Sequence, residues 1–195
     1  MRLVVATRNP HKLRELAPLL APHDLEPLAE EVELPPETGD SFAGNALLKA
    51  RAAAEVTGRA AIADDSGIET AALGGAPGVR SARYAGEGAS DEDNLAKLLA
   101  DVPRDGDRRV AYVCVLAYVQ PDGEEHLFEG RCDGVLAVES RGTGGFGYDP
   151  AFVPVDRDDG LTMAELTPEQ KDAISHRGRA ARAFRAWLDA GEGAW

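Results

Sequence analysis

The sequence predicts an α/β fold, a mixed β-sheet covered by helices. Two observations carry the prediction. Short apolar stretches of strand length alternate with amphipathic helical stretches through the first half, the pattern of parallel-type strands. Two long β-rich runs, 109–120 and 125–138, then flank the turn Pro121-Asp122-Gly123 and read as a hairpin. With 195 residues the chain is long enough to bury a substantial core as one domain spanning 1–195.

The elements follow in order. Residues 3–6, Leu-Val-Val-Ala, read as a buried strand and 7–10 as a turn. A helix follows whose apolar face is Leu13, Leu16, Leu19 and Leu20. Residues 24–28 form a second strand, and 29–37 an extended loop marked by Pro35 and Pro36. Asp40 or Ser41 is a good N-cap for a long helix through Phe42, Ala46, Leu47, Ala50, Ala53 and Ala54, which Gly58 stops. A strand at 60–65 is followed by a separate short strand at 68–72 and a loop at 74–78. Ser90 opens a helix with Leu95, Leu98 and Leu99 on its face, before the hairpin. Beyond a glycine-rich loop at 142–147, Thr167-Pro168-Glu169-Gln170 is a capping box with proline at the first helical position. It opens a C-terminal helix that Gly178 breaks or kinks.

Composition narrows the chemistry. A net charge of −13 argues against nucleic acid and anionic membranes as partners. An anionic small molecule would need a local cluster of cations, a metal ion, or both. The N-terminus lacks the apolar core of a signal peptide, and the longest apolar run, 110–119, is too short to cross a membrane. Cys114 and Cys132 have no metal-ligand spacing and read as buried reduced thiols in a cytoplasmic protein. Lysine is scarce. Lys12, Lys49, Lys97 and Lys171 are the only four, and three of them fall in the segments that carry chemistry.

Those segments are five. Thr7-Arg8-Asn9-Pro10-His11-Lys12 joins strand to helix and offers backbone N–H groups with side-chain donors as a phosphate cradle, though it is not a Walker A loop. Glu37 and Asp40 precede the helix bearing Asn45 and Lys49 at i,i+4 spacing. Asp64-Asp65-Ser66-Gly67 puts two carboxylates on a strand, where neighbours face opposite sides and so take different roles. Glu37 with Asp65 or Asp64 could share a divalent cation, magnesium being content with few carboxylates plus water and phosphate oxygens. Gly142, Gly144 and Gly147 spell a literal G-x-G-x-x-G, but Pro150 and Pro154 forbid the long helix that a dinucleotide fold requires there. That loop instead presents Phe146, Tyr148 and Asp149. Lys171, Ser175, His176 and Arg177 lie near the C-terminal capping box. Together these residues suit the binding and cleavage of a phosphorylated ring compound.

The motifs, in this order, resemble the inosine/xanthosine triphosphate pyrophosphatase family (XTP/dITP diphosphatases). The similar stretches are T-R-N-P-H-K, E-T-G-D-S-F-A-G-N-A-L-L-K-A, A-D-D-S-G, L-G-G-A-P-G-V-R-S-A-R-Y-A-G, G-G-F-G-Y-D-P and S-H-R-G. Maf-type pyrophosphatases look similar in fold but lack this set. The resemblance implies a long twisted mixed sheet, two lobes around a central active-site cleft, a homodimer and Mg²⁺-dependent hydrolysis of ITP, dITP or XTP to the monophosphate and pyrophosphate. It also implies roles. Thr7, Arg8, Asn9, Pro10, His11, Lys12 and Lys49 hold the triphosphate. Glu37 and Asp65, possibly with Asp64, carry the metal, and Asp65 accepts the proton of the attacking water. Ser66 contacts substrate, Phe146, Gly147, Tyr148 and Asp149 embrace the nucleoside, and Lys171, His176 and Arg177 complete the base pocket. Arg8 stands where the family pattern often has glycine. On this reading Arg177 donates to the 6-oxo group, Asp149 accepts from N1–H, and Phe146 stacks on the base. A sensor that binds without hydrolysis, or a pyrophosphatase of Maf-like base preference, are the alternatives.

Overall fold

The computed structural model describes residues 1–191. Its strands are β1 (Arg2–Val5), β2 (Asp24–Pro27), β3 (Ala61–Thr70), β4 (Arg109–Val119), β5 (Glu125–Leu136) and β6 (Phe152–Pro154). Its helices are α1 (Pro10–Leu19), α2 (Phe42–Thr57), α3 (Asp91–Asp101), α4 (Pro168–Ile174) and α5 (His176–Gly191). The strands form one six-stranded sheet in the order β2-β1-β3-β4-β5-β6. β1 runs parallel to β2 and β3, whereas β6 runs antiparallel to β5, so the sheet is mixed and the fold is α/β as expected. No helix among the described residues is long and apolar enough to cross a membrane.

The helix starts follow their sequence signals. Asn9 accepts from the N–H of His11 at 2.9 Å and Pro10 takes the first turn of α1. Ser41 caps α2, and Gly58 ends it with φ +61°. Ser90 with Asp93, and Thr167 with Gln170, form the capping boxes of α3 and α4.

The chain divides into two compact units, 1–65 with 114–130 and 177–191, and 66–113 with 131–176. In the first, Leu3, Val5, Ile62 and Leu116 pack with Leu16 and Leu20 of α1 and Ala180, Phe184 and Leu188 of α5. Their strand neighbours Val4, Ala61, Ala63 and Ala117 cluster instead with Ala46, Ala50 and Ala53 of α2. The period-two alternation of the strands therefore sorts side chains between two helical layers. In the second unit, Ile68, Val110, Tyr112, Cys132 and Leu136 pack with Leu95 and Leu98 of α3 and with Phe152 and Met163.

Two expectations need correction, and one strand is new. The stretch 60–72 is not two strands, because β3 runs unbroken from Ala61 to Thr70 and residues 71–73 turn as a 3-10 helix. The C-terminal helix breaks at Ser175, whose extended backbone (φ −65°, ψ 153°) separates α4 from α5, rather than at Gly178. β6, unsuspected in the sequence, completes the sheet.

Candidate active site

In the first unit the alternation of β3 carries straight into its two aspartates. Asp64 joins the layer of α1 and α5, and Asp65 the layer of α2. Asp64 Oδ2 lies 3.1 Å from Lys12 Nζ, and 3.1 and 3.0 Å from Nε and Nη2 of Arg177. The other arm of that guanidinium, Nη1, donates to Glu15 Oε2 at 2.5 Å. Burial alone would push the Asp64 carboxyl up. Lys12, Arg177 and Lys49 overrule it and hold the group far below the usual carboxylate range. The buried Cys114 thiol, 3.8 Å from Asp64 Oδ2, is pushed up to about 12 by burial and then by that anion.

Asp65 has the opposite electrostatics. Burial raises its pKa, Lys49 opposes the rise, and the nearby Glu37 carboxylate adds to it. Asn45, fully buried on α2, donates to Asp65 Oδ2 at 2.9 Å and accepts from the N–H of Gly39 at 2.8 Å. A Cβ at Gly39 would stand 2.6 Å from that amide oxygen, so only glycine lets the Glu37 segment close on α2. Lys49 sits between the carboxylates, 2.5 Å from Glu37 Oε1 and 4.0 Å from Asp65 Oδ1, and donates to the Asp64 carbonyl at 2.8 Å. Burial favours its neutral amine, but Asp64, Glu37 and Asp65 keep it charged.

Two carboxylates converging on one ammonium form a donor set that fits a small hard cation. Among the described residues no group of three His, Cys, Asp or Glu could hold a metal unaided, so the remaining ligands would be water and phosphate oxygens. Asp64 differs from these two in that its Oδ2 is already the hub of Lys12 and Arg177.

The phosphate-cradle segment is tied down by itself. Thr7 accepts from the N–H of Asn9 at 3.2 Å, and His11 Nδ1 lies 2.8 Å from Arg14 Nη2. Arg8 donates to the carbonyls of Leu28 and Ala29 at 2.8 and 2.9 Å and to that of Val32. It staples the 28–32 loop to the cradle segment. Lys12 of the segment reaches Asp64.

In the second unit, where Ser66 is half-buried, the glycine loop is organised around Asp149. Its Oδ2 accepts from Lys171 Nζ at 2.6 Å and from the N–H of Phe146 at 3.0 Å, and its Oδ1 accepts from the Tyr112 hydroxyl at 3.1 Å. A Cβ on Gly145 would lie 2.0 Å from Oδ2, and φ there is +70°, which explains the glycine. Lys171 Nζ stands 5.0 Å from the Phe146 ring centroid. Gly147 donates its N–H to Asp91 Oδ2 at 2.8 Å, and the Tyr148 hydroxyl donates to the Ser81 carbonyl at 2.6 Å. His176 stacks on Tyr112, with ring centroids 4.6 Å apart.

The second unit thus gathers Phe146, Gly147, Tyr148, Asp149, Lys171 and His176 as the sequence suggests. Arg177 is placed differently. It is 1% exposed, and its guanidinium donates through Nε and Nη2 to Asp64 and through Nη1 to Glu15, so it is anchored in the first unit rather than among the second unit's residues. Glu15, Asp91 and Tyr112 were missed, and Asn45 was placed beside Lys49 without a role. The signal that marked Asn45 was a polar residue on the alanine face of α2, one turn before Lys49.

A Ham1 family model matches residues 3–187. The chain is 52% identical over 187 residues to a dITP/XTP pyrophosphatase of Photorhabdus laumondii, covering 92% of this chain and 93% of that one. A dITP/XTP pyrophosphatase of Geobacter sulfurreducens is 51% identical, with 92% of each chain covered. Among solved structures, a HAM1 protein from Coxiella burnetii superposes with a TM-score of 0.87 at 40% identity, covering 97% of this chain and 99% of that one.

Proposed function

Because the chain belongs to the Ham1 family, we propose that it hydrolyses deaminated purine nucleoside triphosphates (dITP, ITP and XTP) to the monophosphate and pyrophosphate. On this reading the described residues are the working part of a single catalytic domain. The observation that carries the reading is Asp65. It is a carboxylate whose proton affinity is raised by burial, facing Glu37 across Lys49 and steadied by Asn45. A carboxylate of raised pKa is a stronger base toward water.

Lys12 and Lys49 offset the triphosphate charge, and Asp65 takes the proton of the attacking water. Glu37 and Asp65 are the residues that would hold Mg²⁺, which supplies charge neutralisation at the phosphate oxygens when bound. Asp64 keeps the two lysines in place by bonding Lys12 through its carboxylate and Lys49 through its carbonyl. At the base end Phe146 offers a stacking face, and Lys171 and His176 are the side chains suited to a 6-oxo acceptor. Asp149, with three of about four lone-pair sites taken, has room for one N1–H. Adenine reverses both the donor and the acceptor, and a buried polar mismatch of this kind can discriminate by factors of ~10⁴.

Pyrophosphate release with Mg²⁺, measured on ITP, XTP, dITP, GTP, ATP and TTP, tests the proposal. Turnover is expected on the first three and lost on chelation. No turnover on any would mean a nucleotide sensor, and a preference for TTP a different base specificity. A homodimer and cytoplasmic residence belong to the same reading, and light scattering of the purified protein checks the dimer.

A further inference from the structure

Tyr112 lies in the long apolar run of β4 and, at 6% exposure, looks like ordinary core. Its surroundings are not ordinary. One face of its ring stacks on Phe152, centroids 4.3 Å apart at 16°, and another ring, His176, stacks at 4.6 Å and 17°. Its hydroxyl donates to Asp149 Oδ1, while the other oxygen of that carboxylate holds Lys171 and the Phe146 N–H. A residue needed only to fill the core would not require the oxygen, because phenylalanine fills the same volume without burying a polar atom. A single side chain therefore touches two chain segments, the one following the glycine loop and the start of α5. Through Asp149 it is coupled to Lys171 and Phe146 as well.

We infer that Tyr112 is the positioning residue of the base subsite. It fixes the rotamer of Asp149 by its hydroxyl and the ring plane of His176 by stacking, so that the groups facing a 6-oxo purine are aligned before substrate arrives. The inference rests on the proposed function, since it names what orients that site. Its physical basis is pre-organisation, in which groups already held in the bound geometry lose less freedom on binding.

The test is Tyr112→Phe, which keeps the ring column and removes one hydrogen bond to a charged group. KM for ITP and XTP should rise about tenfold, with kcat within about twofold of the parent. Binding of IMP, measured by calorimetry, should weaken by the same factor. Inhibition by pyrophosphate, which engages the first unit's lysines, should stay unchanged. A merely structural role would leave KM alone, or would move pyrophosphate inhibition and KM together with a fall in melting temperature. Either result overturns the inference. A parent protein that hydrolyses none of ITP, XTP and dITP would instead overturn the function on which it rests.

Discussion

Asp64 in the first unit and Asp149 in the second are both buried carboxylates, yet they are held by different means. Asp64 sits among two ammonium groups and a guanidinium, with a thiol alongside. Asp149 takes one ammonium, a backbone N–H and a phenolic hydroxyl. The first arrangement is dominated by charge and little by direction; the second is dominated by direction. Charge suits a site that must gather a polyanion, where the sum of nearby fields matters most. Directed hydrogen bonds suit a site that must tell one ring edge from another.

The largest effect should come from the residue beside the charged hub. Asp65→Asn should lower pyrophosphate release by about 10²–10⁴-fold. Its melting temperature should not fall, because at neutral pH the ionised Asp65 is the unfavourable form in its buried place. A variant retaining the parent rate would remove Asp65 from the chemistry. Next, Asp64→Ala strands Arg177 and Lys12 without their shared anion, and should cost about 3–5 kcal/mol in urea unfolding. Asp149→Asn, which keeps the shape and loses one charge-assisted contact, should cost about 1–3 kcal/mol. Equal costs at the two sites would break the contrast drawn between them. Phe146→Ala should weaken ITP and XTP alike, by about 1–3 kcal/mol. Loss of only one of the two would contradict stacking.

Acidity offers the finest discrimination, since the neighbouring aspartates shift in opposite directions. The stability due to Asp64, whose folded pKa is depressed, is fully present above the unfolded value of about 3.9. It disappears only as pH falls through the much lower folded value. Asp65, with its raised folded pKa, favours the native state at low pH, and that advantage is lost as pH rises through the folded value. Asp65→Asn should therefore gain stability over the parent near neutrality and lose the gain in acid. Melting curves between pH 4 and pH 8, each ~1 unit apart, read the sign directly.

Much of this was legible in the sequence, and the failures have physical reasons. The helix caps, the hairpin and the opposite facing of Asp64 and Asp65 follow from local rules, namely capping, turn chemistry and strand alternation. Gly67 misled because glycine in a strand can mark either a break or a close approach. Here a Cβ would lie 2.4 Å from the Gly78 carbonyl and the Ser81 hydroxyl, so it marks an approach. The Asp64 and Glu15 bonds of Arg177 were hidden because adjacency to His176 says nothing about direction at the start of a new helix. Tyr112 could not be singled out, since an aromatic in an apolar run has no pattern to separate a positioning ring from a packing one. Glu15 reads as a solvated residue of α1 until Arg177 is known to lie against it.

One consequence of the buried thiols extends beyond catalysis. Each unit contains one cysteine with no exposed surface, Cys114 in the first and Cys132 in the second. An alkylating reagent reaches neither while the surrounding core is closed. The rate at which each sulfur is modified, resolved by peptide mapping, is thus a separate clock for the opening of each half of the molecule. A substitution at Asp64 should speed the first clock, and one at Asp149 the second.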